Sequence, residues 1–131
     1  MNYYKKIFMS VIPVILPLFF LVSCSSADHT YSEKIKFDIS RFTEDGFRKG
    51  TDGSLSPIHY EFCIPANGEI YKEVLKIDST AALYKGSKGR SACSDKEWLC
   101  IGSSRQAGFK SVIKKLAELN YIRQITETFW E

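Results

Sequence analysis

IHYEFCI, residues 58–64, carries the clearest strand pattern in this 131-residue chain. Its apolar side chains recur at every second position and alternate with His59, Glu61 and Cys63. Because successive side chains of a strand point to opposite faces, this alternation predicts a half-buried strand with one apolar face. The pattern stops at Pro65, and Asn67-Gly68 follows as a turn signal.

The chain that follows alternates between helical and extended patterns. A helical period covers residues 69–78, and residues 107–120 carry a stronger apolar stripe at helical spacing. Shorter strand patterns cover residues 81–84, 97–102 and 121–130. The order of strand, helix, strand, strand, helix, strand predicts an α+β domain with the ferredoxin-like βαββαβ arrangement. Two helices would then cover one face of a small antiparallel sheet.

Two further patterns precede residues 58–64. Ile35, Phe37 and Ile39 alternate with charged residues, which predicts an extra N-terminal strand at the edge of the sheet. Residues 43–57 are rich in glycine and predict a loop.

The first two dozen residues have the organisation of a secretory signal. Lys5 and Lys6 precede residues 7–22, a charge-free apolar segment of sixteen residues. This segment is shorter than the roughly 20 residues of a spanning helix, and it contains Pro13 and Pro17, which disfavour a long helix. An uncleaved short anchor and a signal peptide without lipid are the alternatives.

Leu21-Val22-Ser23-Cys24 resembles the lipobox of bacterial lipoproteins. The resemblance implies cleavage before Cys24, a lipid such as palmitate on that cysteine, and attachment to the membrane through it. Ser25 stands where an aspartate commonly retains such proteins in the inner membrane, so the resemblance implies the outer membrane of a Gram-negative bacterium. We expect the domain to lie in the periplasm, and the resemblance leaves open which membrane face it occupies.

These observations divide the chain into three parts. We expect residues 1–23 to be a cleaved signal peptide, residues 24–34 a lipidated tether, and residues 35–131 a single globular domain. Without Lys5 and Lys6, sixteen basic side chains face fifteen acidic ones, which gives no support for nucleic-acid binding. The basic glycine turn Lys85-Gly86-Ser87-Lys88-Gly89-Arg90 is typical of a solvated loop, and an anion site is its alternative.

Three cysteines remain once Cys24 carries lipid. An oxidising compartment favours one disulfide, and the closeness of Cys93 and Cys100 in sequence favours that pair. A bond from Cys63 to Cys93 or to Cys100 is also open. A free Cys63 would be a buried small hydrophobe or, together with His59, a reactive or metal-binding group. We expect no metal and no cofactor.

Function is less constrained than location. We expect a protein-binding module of the envelope rather than an enzyme, of the assembly-accessory, pilot, immunity or inhibitor type that the lipoprotein class implies. The expected partner surface consists of Lys88, Arg90, Trp98 and Trp130. The alternatives are a small enzyme or ligand binder centred on His59, Glu61 and Cys63, and a structural lipoprotein associated with the cell wall.

Overall fold

The computed structural model of the protein describes residues 32–129. Its elements, in chain order, are a 3₁₀-helix at Ile39–Arg41, β1 (Arg48–Lys49), β2 (Leu55–Ser56), β3 (His59–Pro65), α1 (Gly68–Ile77), β4 (Ala82–Tyr84), β5 (Glu97–Ser103), α2 (Phe109–Glu118) and β6 (Thr126–Thr128).

The main sheet has the strand order β4-β5-β3-β6, and every neighbouring pair is antiparallel. This is the strand order of a ferredoxin-like βαββαβ unit, so the predicted fold class is confirmed. Strand β3 lies at the centre, where it pairs with β5 along its whole length and with β6 at its beginning. The strongest strand pattern of the sequence is therefore the centre of the fold.

Both helices pack on the same face of this sheet. Helix α1 begins after Asn67, whose side-chain oxygen accepts hydrogen bonds from the N–H groups of Glu69 and Ile70. Helix α2 buries Phe109, Ile113 and Leu116, which recur at helical spacing along one side. Together the helices and the sheet enclose the main core, which includes the large buried side chains Tyr60, Phe62, Ile64, Val74, Phe109, Ile122 and Ile125.

The predicted N-terminal strand is wrong in detail. Ile35 makes a single parallel bridge with Ile125, and the chain then turns into the 3₁₀-helix. The turn is local, because the Asp38 carboxylate accepts from both the N–H and the hydroxyl of Ser40. Phe37 still packs against the core, so the alternating pattern identified the buried side chains but not the backbone.

The predicted loop at residues 43–57 contains a short hairpin instead. Strands β1 and β2 pair with Arg48 opposite Ser56. The turn between them is closed by hydrogen bonds from Gly50 N to Ser54 O and from Gly53 N to Gly50 O. The two strands are largely exposed, so they lack the alternating pattern that reveals a half-buried strand.

Several predictions lie outside the described residues: the signal peptide, Cys24, most of the tether, and Trp130. Within residues 32–129, no helix is long and apolar enough to cross a membrane.

Candidate functional site

The connection from β4 to β5, residues 85–96, crosses the sheet face opposite the helices; we call it the strap. Beneath it lie Glu61, Cys63, Leu99 and Ile101, all of which are buried although neither α1 nor α2 covers this face. The missing Cβ of Gly89 would fall 2.8 Å from a methyl group of Leu99, so the strap backbone rests directly on β5. The strap therefore shields this face of the sheet from solvent, as the helices shield the other face.

A disulfide joins the strap to the central strand. It links Cys63 of β3 to Cys93, across 30 residues of sequence, and the predicted Cys93–Cys100 pairing is therefore wrong. Among the described residues Cys100 is the free cysteine, and it is buried.

The parity of the strands explains this pairing. Cys100 lies opposite Phe62 in the β3–β5 register, so its side chain belongs to the helix side. Cys63 lies opposite Leu99, on the side that the strap covers. Because the sheet separates Cys100 from the strap, closeness in sequence could not bring Cys93 and Cys100 together.

Glu61 provides a second attachment for the strap. Its carboxylate Oε1 accepts a hydrogen bond of 2.7 Å from Ser91 N, and the side chain is only 2% exposed. Ser91 Oγ also donates to the Glu61 carbonyl oxygen at 3.4 Å. A buried carboxylate needs such partners. An unpaired buried polar group that is neutral costs about 1–3 kcal/mol, and a charged group costs more.

The backbone of the strap turns through left-handed conformations. Gly89 has φ of +59°, and Ala92 has φ of +52°, which is a strained value for a residue with a side chain. At Gly89 an added Cβ would also lie 2.7 Å from Glu61 Oε1. Only glycine therefore suits residue 89 at this separation from the sheet.

The outer side of the strap has a tip and a base with different neighbours. At the tip, residues 89–92, the guanidinium of Arg90 lies 5.2 Å from the ring centre of Phe129, which is 57% exposed. At the base, residues 85–88 and 94–96 together with the start of β5, the Lys85 ammonium lies 4.3 Å from the ring centre of Trp98. Both contacts are cation–π pairs.

The base also surrounds a shallow cavity of about 160 Å³, lined by Gly86, Ser87, Lys88, Ser94, Asp95, Glu97 and Trp98. Glu97 Oε1 accepts from Ser94 N at 2.9 Å and from Arg123 at 3.0 Å. Hydrogen bonding from Ser94, aided by the Arg123 charge, lowers the pKa of Glu97. This volume is below the roughly 300 Å³ at which ligand pockets usually begin.

The structure thus divides the predicted partner surface. Arg90 lies at the tip of the strap, whereas Lys88 and Trp98 lie at its base. Lys88 and Arg90 are exposed and Trp98 is half-buried.

The predicted grouping of His59, Glu61 and Cys63 is confirmed as a shared sheet face, but Cys63 is not a free thiol. Glu61 is covered by the strap, while His59 lies exposed at the start of β3. In the part of the chain that the structure describes, no three His, Cys, Asp or Glu side chains are placed to hold a metal ion.

A buried polar network on the helix side was not predicted. Tyr60 donates to Asp78 at 2.5 Å, and the Gln106 amide donates to Tyr60 and Asp78 at 3.1 Å each. Burial, followed by the Asp78 charge, raises the pKa of Tyr60 and raises that of Cys100 to about 12, so both stay protonated at neutral pH. Because Asp78 follows α1 directly, its sequence resembles an ordinary polar helix end, which gives no signal of burial.

Comparison with known proteins returns no relative: no protein-family model, no curated protein and no solved structure matches this chain.

Proposed function

We propose that the protein is a lipid-anchored envelope protein that binds another protein through the tip of the strap, residues 89–92. It acts as an assembly accessory, pilot, immunity or inhibitor type of protein and not as an enzyme. The anchor is the lipid on Cys24 that the lipobox resemblance implies, and the location is the periplasmic side of the outer membrane.

The observation that carries the binding surface is the Cys63–Cys93 bond. Together with the Glu61–Ser91 hydrogen bond, it fastens a connection that would otherwise be free to move. A loop that is already ordered loses less conformational entropy when a partner binds, so more of its contact energy appears as affinity.

The chemistry of the tip supports a protein partner. Arg90 and the exposed Phe129 ring form one neighbouring pair, and arginine and aromatic side chains are enriched where protein interfaces gain most of their energy. The small cavity at the base does not favour a small-molecule ligand.

A photo-crosslinking amino acid at Ala92 of the full chain tests this surface in the native host. The matched control is the same amino acid at Ser111, which is exposed on α2. We expect one discrete protein adduct from position 92 that is absent from position 111 and is lost in Arg90→Glu. Identical adducts from both positions, or none, would contradict the proposal.

Two alternatives give different results in the same experiment. A muramidase-sensitive adduct at position 92 would favour the structural cell-wall lipoprotein. The enzyme or ligand-binder alternative loses one of its three groups, because Cys63 is bonded to Cys93.

The anchor is tested separately: Cys24→Ser is expected to abolish palmitate incorporation and release the protein from the membrane fraction.

A further inference from the structure

Each of the four strands of the main sheet has one end on the side where the base of the strap lies. In the antiparallel register Pro65 pairs with Glu97, and Tyr84 pairs with Leu99, one strand position above Trp98. Ile125 precedes β6 on the same side, since Thr126 already pairs with Glu61. We call this the tether end of the domain.

The N-terminal chain leaves the domain at this end. The Ile35–Ile125 bridge is parallel, so residues 32–34 lie towards the tether end, as the residues just before Ile125 do. Lys34 Nζ donates to Leu119 O at 3.0 Å, which places the start of the domain beside the end of α2.

Covalent geometry limits how the domain can stand on a lipid-anchored chain. Ten residues separate Cys24 from Lys34, which span at most about 36 Å. A domain of this size is roughly 33 Å across. The tether end can therefore contact the bilayer without any stretching of the tether, whereas the opposite end reaches it only if those ten residues are almost fully extended.

The tether end has the side chains that suit a membrane surface. At the base of the strap, Lys85, Lys88 and Lys96 are exposed beside one exposed carboxylate, Asp95. The other nearby carboxylate, Glu97, is paired with Arg123 at 3.0 Å. The helix ends at the tether end add the exposed Glu69, which pairs with Lys72 at 3.1 Å, and Glu118. The net charge of the base is positive, as anionic headgroups require.

Aromatic side chains accompany these cations. Trp98 is half-buried with Lys85 over its ring, and Tyr84 is 41% exposed. Tryptophan and tyrosine favour the boundary between lipid and water, because one end of each side chain is apolar and the other is polar.

We propose that the tether end is a membrane-contact surface, in which Lys88, Lys96 and Trp98 meet the anionic headgroups of the bilayer that holds the lipid anchor. This inference rests on the proposed anchor, and it assigns the base of the strap to the membrane and the tip to the protein partner. The strands of the main sheet then run away from the membrane and the strap face points sideways. A partner in the same membrane can reach Arg90 in this orientation.

The test uses the full lipidated chain reconstituted into phosphatidylglycerol vesicles and, separately, phosphatidylcholine vesicles, each with a headgroup spin label. Trp98 and Trp130 are the two tryptophans of the chain, so Trp130→Phe leaves Trp98 as the reporter. We expect strong quenching of Trp98 in phosphatidylglycerol, and little in phosphatidylcholine or at high salt. Lys88→Glu with Lys96→Glu should remove it, since each lysine contributes about fivefold to surface partitioning.

The control variant is Lys76→Glu with Arg105→Glu, which reverses two exposed basic residues at the opposite end of the domain, in the last turn of α1 and just after β5, and should leave the quenching unchanged. Vesicles that float with bound protein but leave Trp98 unquenched would overturn the membrane contact alone. Lys88 and Lys96 would then be assigned to a protein partner instead. Equal quenching in both lipids would overturn the anionic chemistry. Vesicles that float without protein would overturn the anchor and the contact together.

Discussion

The two faces of the β3–β5 sheet are closed by different means. On the helix side, Tyr60, Phe62 and Ile64 pack against two amphipathic helices in one continuous apolar core. On the strap side, the alternate residues of the same strand meet a polar, glycine-containing loop whose underlying cluster is only Cys63, Cys93, Leu99 and Ile101.

The difference teaches what each face requires to stay closed. Burial of large apolar side chains holds the helices without any covalent link. The strap has little apolar area to bury. It is held on the sheet by two local attachments, the disulfide and the hydrogen bond to the buried Glu61 carboxylate. The helix side should therefore unfold cooperatively with the whole domain, whereas the strap should be able to detach from the sheet while the rest stays folded.

Phe109→Ala should have the largest effect, because it empties a fully buried site among Phe37, Phe42 and Tyr60 on the helix side. We expect a loss of about 4 kcal/mol in the free energy of unfolding, measured by denaturant titration. Leu55→Ala, at a residue 57% exposed, is the control and should change stability by less than about 0.5 kcal/mol. Equal effects would mean that the core is misplaced.

Cys63→Ala with Cys93→Ala removes the fastening of the strap. The chain-entropy model predicts a loss of about 3.6 kcal/mol for a loop closed across 30 residues. Limited trypsin digestion should then cut after Lys88 or Arg90 while the far-ultraviolet circular dichroism keeps its helical signal. Cys100→Ala, on the helix side, should leave the strap resistant to trypsin; cleavage in both variants would remove the distinction between the faces.

Tyr60→Phe tests the polar network within the helix side. The change deletes the hydroxyl that donates to Asp78 and leaves the buried carboxylate one partner short, so we expect a loss of about 2 kcal/mol. Thermal unfolding is the readout. Tyr84→Phe, at the exposed end of β4, is the matched control and should be neutral. A neutral Tyr60→Phe would show that Asp78 is stabilised by Gln106 and Thr80 without the tyrosine.

Two backbone substitutions in the strap should have small effects of opposite sign. Gly89→Ala places a Cβ against Glu61 and Leu99 in a left-handed conformation, which should cost about 2 kcal/mol of strap stability. Ala92→Gly relieves the same conformation without a clash and should gain up to about 1 kcal/mol. Hydrogen exchange at Ser91 N measures both, and equal signs would contradict the strap geometry.

The two faces also differ in how far sequence predicts them. Alternation in residues 58–64 and the stripe at Phe109, Ile113 and Leu116 identified the sheet, the helices and their core, because hydrophobic periodicity records which side chains are buried. The strap has no period, so its path across the sheet could not be predicted.

The disulfide pairing could not be predicted for the same reason. Short loop closure favoured Cys93 with Cys100, but the pairing depends on which sheet face the strap crosses, and the sequence does not indicate that face. The burial of Glu61 and Asp78 had no signal at all, since charged residues on a strand and after a helix are usually exposed.

Disulfide mapping tests the central claim, that the strap is fastened to β3, most directly. After thiol blocking and denaturation without reduction, trypsin separates Cys63, Cys93 and Cys100 into peptides 50–72, 91–96 and 97–105. The structure predicts a linked pair of peptides 50–72 and 91–96 with Cys100 blocked in peptide 97–105. A linked pair of 91–96 and 97–105, with Cys63 blocked, would contradict it.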